Sequence, residues 1–353
     1  MTAPLSPPHD LAVLIGRFQP FHNGHLSLLR QALALAPRVV VVIGSAFAAR
    51  SPKLPFDWHA CASMVRRAVP EPERSRILCV PVRDFVDEAR WVSAVRHAVA
   101  QALAAQGLPP ATSTVLVGQP RDATREYLHA FPDWTLHAGD PVDIRRASAL
   151  RDAVFRDPQE GLGAIAGEVP PATVDFLREW CQRPSFTGLR QEAAVLREYD
   201  IAWSVAPYPP ILVTVDCVVK CRDQVLLIQR GHAPGKGLLA LPGGFLEQRE
   251  TTYQAALREL DEETHLDVPH AGLQACLMGN DVFDRPDRSQ RGRTITHGFF
   301  FDLGDREPPS VRADDDAEAA RWTAIDELCA IEERFLDDHF QILDHYLGLL
   351  PGL

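Results

Sequence analysis

A chain of 353 residues, 46% hydrophobic and 24% charged, is long enough for two cores and has the composition of an ordinary globular protein. Its net charge of -11 and pI near 5.6 argue against a general affinity for nucleic acid or for an anionic membrane surface, while leaving room for a small phosphorylated ligand in a local basic pocket. The seven cysteines are scattered without a CxxC pair, so neither a disulfide frame nor a zinc site is expected, and a reduced, cytoplasmic protein is the simplest reading.

Residues 1–10, MTAPLSPPHD, read as a short flexible Pro-rich tail with no basic leader, and no apolar run in the chain approaches membrane-spanning length. From Leu11, short β-branched runs alternate with amphipathic patterns. LAVLIG precedes a helix over about 24–35, RVVVVIGS one over about 58–69, and RILCVPV one over about 90–105, before STVLVG closes the series. Continuous apolar strands separated by helices predict a doubly wound α/β domain with a parallel sheet, over residues 11–185. Ligands of such sheets bind beyond the carboxyl ends of the strands. The first of those loops, GRFQPFHNGH, carries two histidines three residues apart at a helix start, where free N–H groups and the helix dipole already favour anions. Imidazoles there can donate to the nonbridging oxygens of a phosphate in flight, and Gly24 allows close approach of backbone. Taken alone, two histidines in a turn are more often structural.

This loop resembles the HxGH signature of the nucleotidylyltransferase superfamily, in the extended form typical of nicotinamide mononucleotide (NMN) adenylyltransferases. The resemblance makes His22 and His25 the catalytic histidines and puts Gly16, Arg17, Phe18 and Gly24 around ATP. RRASALR at 145–151 is similar to the family's second phosphate-binding motif, with Ser148 and Arg151 matching and Arg146 standing where a serine is usual. The segment from Gly118 resembles a G-x-x-K-D motif, with Arg121 in place of lysine before Asp122; these three are expected near adenine and triphosphate. Asp84 and Trp91 resemble the positions that hold NMN. An indole stacked on a desolvated pyridinium is favourable by about 1–2 kcal/mol, although a tryptophan on an amphipathic helix serves equally well as core.

After Asp157-Pro158 the sequence EGLGAIAGEVPP reads as a Gly-rich turn, followed by helices around 172–182 and 189–199. Residues 186–207, a connector helix and a Pro-rich linker ending near APYPP, separate the halves. A second domain is expected over 208–353: ILVTVDCVVKC and QVLLIQR form a hairpin about Arg222-Asp223, AGLQACLMGND and TITHGFFFDL continue the strand pattern, and a last helix covers about 335–349.

Within it, GGFLEQRETTYQAALRELDEETHL places a Gly-Gly turn before a helix over about 251–263. Glu259, Glu262 and Glu263 fall at i, i+3 and i+4, on one face, where mutual repulsion is a cost unless a cation sits among them. Such hard oxygen donors suit Mg²⁺, with Mn²⁺ as the alternative; a solvated acidic face is the plain alternative. The pattern of Gly244, Glu250 and Arg258 through Leu266 resembles the Nudix box of hydrolases that cleave nucleoside diphosphates, with His265 where the family has glycine. The resemblance implies an α/β/α sandwich with a mixed sheet, metal ligands at Glu259, Glu262, Glu263 and the Gly244 carbonyl, and a catalytic role for these glutamates with Arg258. Glycine at the end of a helix accepts left-handed backbone, so His265 should cost about 1 kcal/mol there or find another route. Downstream, Arg285, Arg288, Arg291 and Arg293 lie in one loop and are candidates to clamp the diphosphate of ADP-ribose, or simply solubilise that loop.

Both halves, in this order, resemble fused NMN adenylyltransferase/Nudix proteins. The implied activities are transfer of AMP from ATP to NMN, giving NAD and pyrophosphate, and hydrolysis of ADP-ribose to AMP and ribose 5-phosphate. The expected partners are those small molecules alone, with no nucleic acid and no membrane; a homo-oligomer is compatible with the sequence but not specified by it. The alternatives are another phosphate acceptor in the first half, another nucleoside diphosphate in the second, or a second half that senses ADP-ribose or NAD without hydrolysing it.

Overall fold

The structure is a computed structural model that describes residues 7–119, 129–140 and 145–350. The chain forms two compact units, one up to Arg190 and one from Gln191.

The first unit contains, in chain order, β1 (Leu11–Gly16), α1 (Asn23–Leu35), β2 (Arg38–Ile43), α2 (Trp58–Arg67), β3 (Ile77–Pro81), α3 (Glu88–Ala105), β4 (Thr114–Gly118) and β5 (Thr135–Ala138). α4 (Ala147–Arg156), α5 (Pro158–Ile165) and α6 (Pro171–Trp180) follow, and α7 (Pro184–Trp203) runs past the division between the units. The five strands are parallel in the order β3-β2-β1-β4-β5. Val39, Val40, Val41 and Val42 are wholly buried, as are Ala12 and Val13, which accounts for the unbroken apolar runs. The order of the strands reverses between β1 and β4, so the loop after β1 opens at the switch point where such sheets bind ligands.

α5 replaces the turn expected after Asp157. Asp157 caps it, accepting from Gln159 N at 2.9 Å and Glu160 N at 2.8 Å, and Pro158 occupies its first position, where a missing N–H costs nothing. Gly161 is needed for packing rather than for a turn: a Cβ there would sit 2.3 Å from the Ala153 carbonyl oxygen of α4.

The second unit contains β6 (Leu212–Cys221), β7 (Gln224–Arg230), β8 (Leu239–Ala240), β9 (Gly243–Phe245), α8 (Thr252–Thr264), α9 (His270–Ala275), β10 (Leu277–Phe283), β11 (Thr294–Asp302), β12 (Ala317–Ala324), a 3-10 stretch (Ile325–Arg334) and α10 (His339–Leu347). The first part of AGLQACLMGND is thus helical, and only its end is strand. The main path of the sheet is β10-β11-β6-β7-β12, with β8 on β7 and β9 on β6. It is mixed, because β11 runs parallel to β6 while the other pairs are antiparallel. β11 displays its two faces by alternation: Phe299 and Phe301 join the core beneath α8, whereas Phe300 stacks on Tyr346 of α10 at 5.3 Å. Helices therefore cover both sides of the sheet, as an α/β/α sandwich requires.

The close approach of α5 to α4 is testable. Gly161→Ala is expected to destabilise the first unit by about 1–3 kcal/mol, read as an earlier thermal transition. Gly163→Ala in the same helix, with nothing near its Cβ, is expected to leave stability unchanged or raise it by about 0.5–1 kcal/mol.

Candidate active sites

In the first unit the chain leaves β1 at Gly16 and enters α1 at Asn23 through a turn packed on its own aromatic rings. Phe18 is buried in left-handed backbone (φ 55°), and a Cβ on Gly16 would lie 2.9 Å from its ring. His25 packs edge-on to Phe18 at 4.9 Å and face-on to His22 at 3.6 Å. The two histidines cap the helix reciprocally: His22 Nδ1 accepts from His25 N, and His25 Nδ1 accepts from His22 N, each at 3.3 Å. An Nδ1 that accepts forces the neutral imidazole to carry its hydrogen on Nε2. Burial holds His22 well below the usual histidine range, at about 4, against an opposing pull from Glu168. The caps direct each Nε2 away from the helix start, His22 as a neutral Nε2–H donor, and Gly24 is buried in the first turn.

Arg151, in α4, is half-buried and donates to Gln19 O at 2.5 Å and Pro52 O at 3.0 Å. Burial, with the nearby charge of Arg17, pushes its guanidinium down to about 10, while Asp152 opposes them. Positive charges that disfavour one another in this way are ones that a bound anion would relieve. Ser148 is exposed in the first turn of α4, one residue past its start and not the cap; Arg146 holds the cap position without a side-chain bond. Arg145 instead pairs with Glu168, donating from Nε at 2.6 Å. Asp84 accepts from Ser45 Oγ at 2.6 Å beyond the ends of β3 and β2. Trp91 lies in the first turn of α3, half-buried, with its ring 6.0 Å from that of Phe131. Gly118 ends β4, its carbonyl accepting from Gly139 N at 2.7 Å. Arg121 and Asp122 lie outside the described residues.

Sequence reasoning passed over Gln19. It is buried, donates to Phe56 O at 2.7 Å and accepts from Phe56 N at 3.0 Å, so it ties the loop after β2 to the histidine turn. Its position inside the quoted motif was the available signal.

In the second unit, Thr251 and Gln254 form a capping box at the start of α8. Arg258 lies near the middle of the helix and gathers the surrounding acids. It donates to Glu250 at 2.7 and 3.1 Å, to Glu259 and Glu262 at 2.8 Å from the same Nη1, and to Phe245 O at 3.1 Å. Glu263 turns the other way and accepts from Gly243 N at 2.8 Å. Burial pushes Glu263 up to about 8, with the charges of Glu259 and Asp216 adding and the Gly243 bond opposing. Glu259 is raised for the same first reason, against the pull of Arg258. At Gly244 a Cβ would sit 2.4 Å from Glu259 Oε1, so a larger residue there would displace that carboxylate.

Glu262 shares Arg258 with Glu259 and its side chain is 44% exposed, while the buried carboxylates of Glu259 and Glu263 face the Gly-Gly backbone. Among the described residues no three histidine, cysteine or acidic side chains converge as a ready-made cage. Two buried carboxylates raised by burial, Glu263 by the charge of Glu259 as well, in a cradle of backbone, do fit a divalent cation, which would reverse those penalties.

The arginine loop divides. Arg291 lies over the Phe245 ring at 4.7 Å, Arg293 donates to Asp284 O, and Arg285 is exposed. Arg288, expected in the same clamp, is instead buried: it donates to both Asp338 oxygens at 2.7 and 3.0 Å and to Thr296 Oγ1, with Asp216 at 3.7 Å. It anchors the loop rather than offering a free charge. Asp216 and Arg230 were also passed over. Asp216 is a fully buried acid within an apolar strand, pushed up to about 6 by burial; a lone aspartate in LVTVDCVVKC was its signal. His265 takes left-handed backbone (φ 41°, ψ 45°), as the departure from glycine implied.

Two family models match the sequence, a cytidylyltransferase-like one over residues 13–101 and a NUDIX domain one over residues 210–346. The chain is similar over almost its whole length to a bifunctional NMN adenylyltransferase/ADP ribose pyrophosphatase from Francisella tularensis, crystallised with AMP and a Mn ion. The identity is 32% and the TM-score 0.85, covering 96% of this chain and 99% of that one. It is 28% identical over 184 residues to a nicotinamide/nicotinic acid mononucleotide adenylyltransferase of Acinetobacter baylyi, covering 52% of this chain and 93% of the relative. It is 36% identical over 140 residues to an ADP-ribose pyrophosphatase of Methanocaldococcus jannaschii, covering 40% of this chain and 75% of the relative.

The buried acid gives a signed expectation. A carboxyl whose folded pKa stands at about 8, above its ordinary value of 4.5, favours the protonated fold. Metal-free protein should lose stability as pH rises from about 5 to about 8 and change little from this group beyond that. Glu263→Gln should flatten that slope and raise the thermal transition at pH ~8 by a few degrees, and added Mn²⁺ should stabilise wild type far more than the variant.

Proposed function

The chain belongs to the family of bifunctional NMN adenylyltransferase/ADP-ribose pyrophosphatases, and from that premise we propose that it makes NAD from NMN and ATP in its first unit and hydrolyses ADP-ribose in its second. The observation that carries the reading is that both halves of the Francisella protein are matched over 96% of this chain at 32% identity.

In the first unit, a 5'-phosphate oxygen of NMN attacks the α-phosphorus of ATP as the bond to the β-phosphate oxygen breaks, and pyrophosphate leaves. Most of the acceleration in such transfers comes from positioning and charge stabilisation. His22 and His25 donate from Nε2–H to the nonbridging oxygens at the reacting phosphorus. Arg17 and Arg151 supply the positive field that receives the triphosphate, and Ser148 offers a hydroxyl at the start of α4. Asp84 and Trp91 take the NMN side, the indole against the pyridinium ring. Mg²⁺, with Mn²⁺ as the alternative, neutralises charge on the leaving pyrophosphate when bound.

In the second unit, ADP-ribose is cleaved by water at its diphosphate, giving AMP and ribose 5-phosphate. Glu259, Glu262 and Glu263, with the Gly244 carbonyl, would hold the divalent cation, which would supply Lewis acidity and a more acidic water when bound. Arg258 keeps Glu259 oriented and Glu262 folded against the helix. Arg291, Arg285 and Arg293 offer charge to the diphosphate, on a loop that Arg288 anchors. All seven cysteines are free thiols, which suits a reducing compartment, and we place the protein in the cytoplasm; no helix among the described residues is long and apolar enough to cross a membrane.

The two activities should separate by mutation. His22→Ala is expected to lower NAD synthesis by about 100-fold or more, the scale of losing one aimed donor, and to leave ADP-ribose hydrolysis unchanged. Glu259→Gln should do the reverse. Near-normal NAD synthesis by His22→Ala would remove that histidine from the chemistry, and full hydrolysis by Glu259→Gln would do the same for the proposed cation site.

A further inference from the structure

His265, the residue that departs from the box pattern, occupies a backbone conformation that glycine would adopt more cheaply by about 1 kcal/mol. It makes a contact that glycine could not: its Nε2 lies 2.9 Å from Asp314 Oδ2. Asp314 belongs to the segment 312–316, which runs into β12 and crosses the end of α8. There Arg312 N donates to Thr264 O at 2.8 Å and Asp314 N approaches Glu263 O at 3.4 Å. These carbonyls belong to the last turn of the helix, where acceptors lack partners within the helix. The next residue, Asp315, is itself in left-handed backbone (φ 50°), with its N–H donating to Asp314 Oδ1 at 3.0 Å. A non-glycine residue persists there only when its surroundings hold it.

We propose that His265 is a positioning residue of the hydrolase site: by bridging to Asp314 it locks the acidic segment 312–316 onto the end of α8, against the backbone of the turn that carries Glu262 and Glu263. Holding that turn in place keeps its carboxylates set for a divalent cation. The histidine thus replaces the freedom of a glycine with a clasp between the box helix and the segment leading into the last strand. The proposal rests on the hydrolase reading above for its catalytic meaning, but its structural core can be tested without turnover.

The test uses full-length protein, as wild type, His265→Gly, Asp314→Ala and the double variant. Glycine suits the backbone at 265, so that variant should fold with an unchanged or slightly higher thermal transition. In metal-free protein, hydrogen exchange over 312–316 should quicken by about tenfold in each single variant, with the double variant no faster than either single, as expected when both remove one shared interaction. Titration with Mn²⁺ alone, followed by its paramagnetic resonance signal, should weaken by about tenfold, the scale on which supporting residues tune metal affinity. With ADP-ribose, kcat of His265→Gly should recover as Mn²⁺ is raised while KM for ADP-ribose stays put. Unchanged exchange over 312–316 would overturn the clasp, and faster exchange with unaltered Mn²⁺ binding would overturn its role in the site. A wild-type protein inert toward ADP-ribose would defeat the hydrolase reading instead, leaving exchange and Mn²⁺ binding to decide the clasp.

Discussion

The guanidinium of Arg258 is the interaction on which the second unit depends, because it lets several acids share the end of one helix. Glu259 and Glu262 would repel across the helix face, and Glu250 would have no reason to fold back from its loop. One planar group with donors in a fixed fork satisfies all three and takes the Phe245 carbonyl as well. It therefore fixes the strand β9, the loop after it and α8 relative to one another. What it does not neutralise is equally telling: Glu263 receives only a backbone N–H, and burial leaves its acidity strongly suppressed. Glu259 is compensated by the guanidinium and Glu263 is not, so Glu263 carries the charge that a bound cation would most relieve.

The first unit solves the mirror-image problem. There the crowded charges are arginines, and Arg151 is held by the carbonyls of Gln19 and Pro52 rather than by an acid. Carbonyl dipoles orient the guanidinium without cancelling its charge, which is what a site for a polyanion needs. Glycine plays the same part in both units, at Gly16 under the Phe18 ring and at Gly244 against Glu259, by leaving room that a Cβ would fill.

Much of this was legible from the residues. Long apolar runs such as RVVVVIGS announced buried parallel strands, and both loops that carry chemistry announced themselves by several fixed positions at once. What stayed hidden had physical causes. α5 was masked by its glycines, although Asp157-Pro158 is a sound helix start, because the packing that requires Gly161 is visible only in three dimensions. β12, AEAARWTA, has little intrinsic strand preference and is made a strand by pairing with β7. Arginines within one loop look alike in sequence, yet Arg288 finds Asp338 and Asp216 and is lost to solvent while Arg285 is not. The glutamates of α8 shared a face as their spacing requires, but which of them Arg258 would occupy depended on the rotamers around it.

The reciprocal capping of His22 and His25 carries one more implication. With each δ nitrogen already engaged by an amide, neither imidazole can flip end for end without uncapping α1, and with its proton affinity so far suppressed His22 brings no net charge to neutral water. On the proposed reading, the long-range pull on an incoming nucleotide falls to arginines such as Arg17 and Arg151, and would fade with added salt. The short-range aim would fall to the histidines, as hydrogens of fixed direction that ionic strength scarcely touches. Capture and aim are thus assigned to different side chains and would answer to different solution conditions.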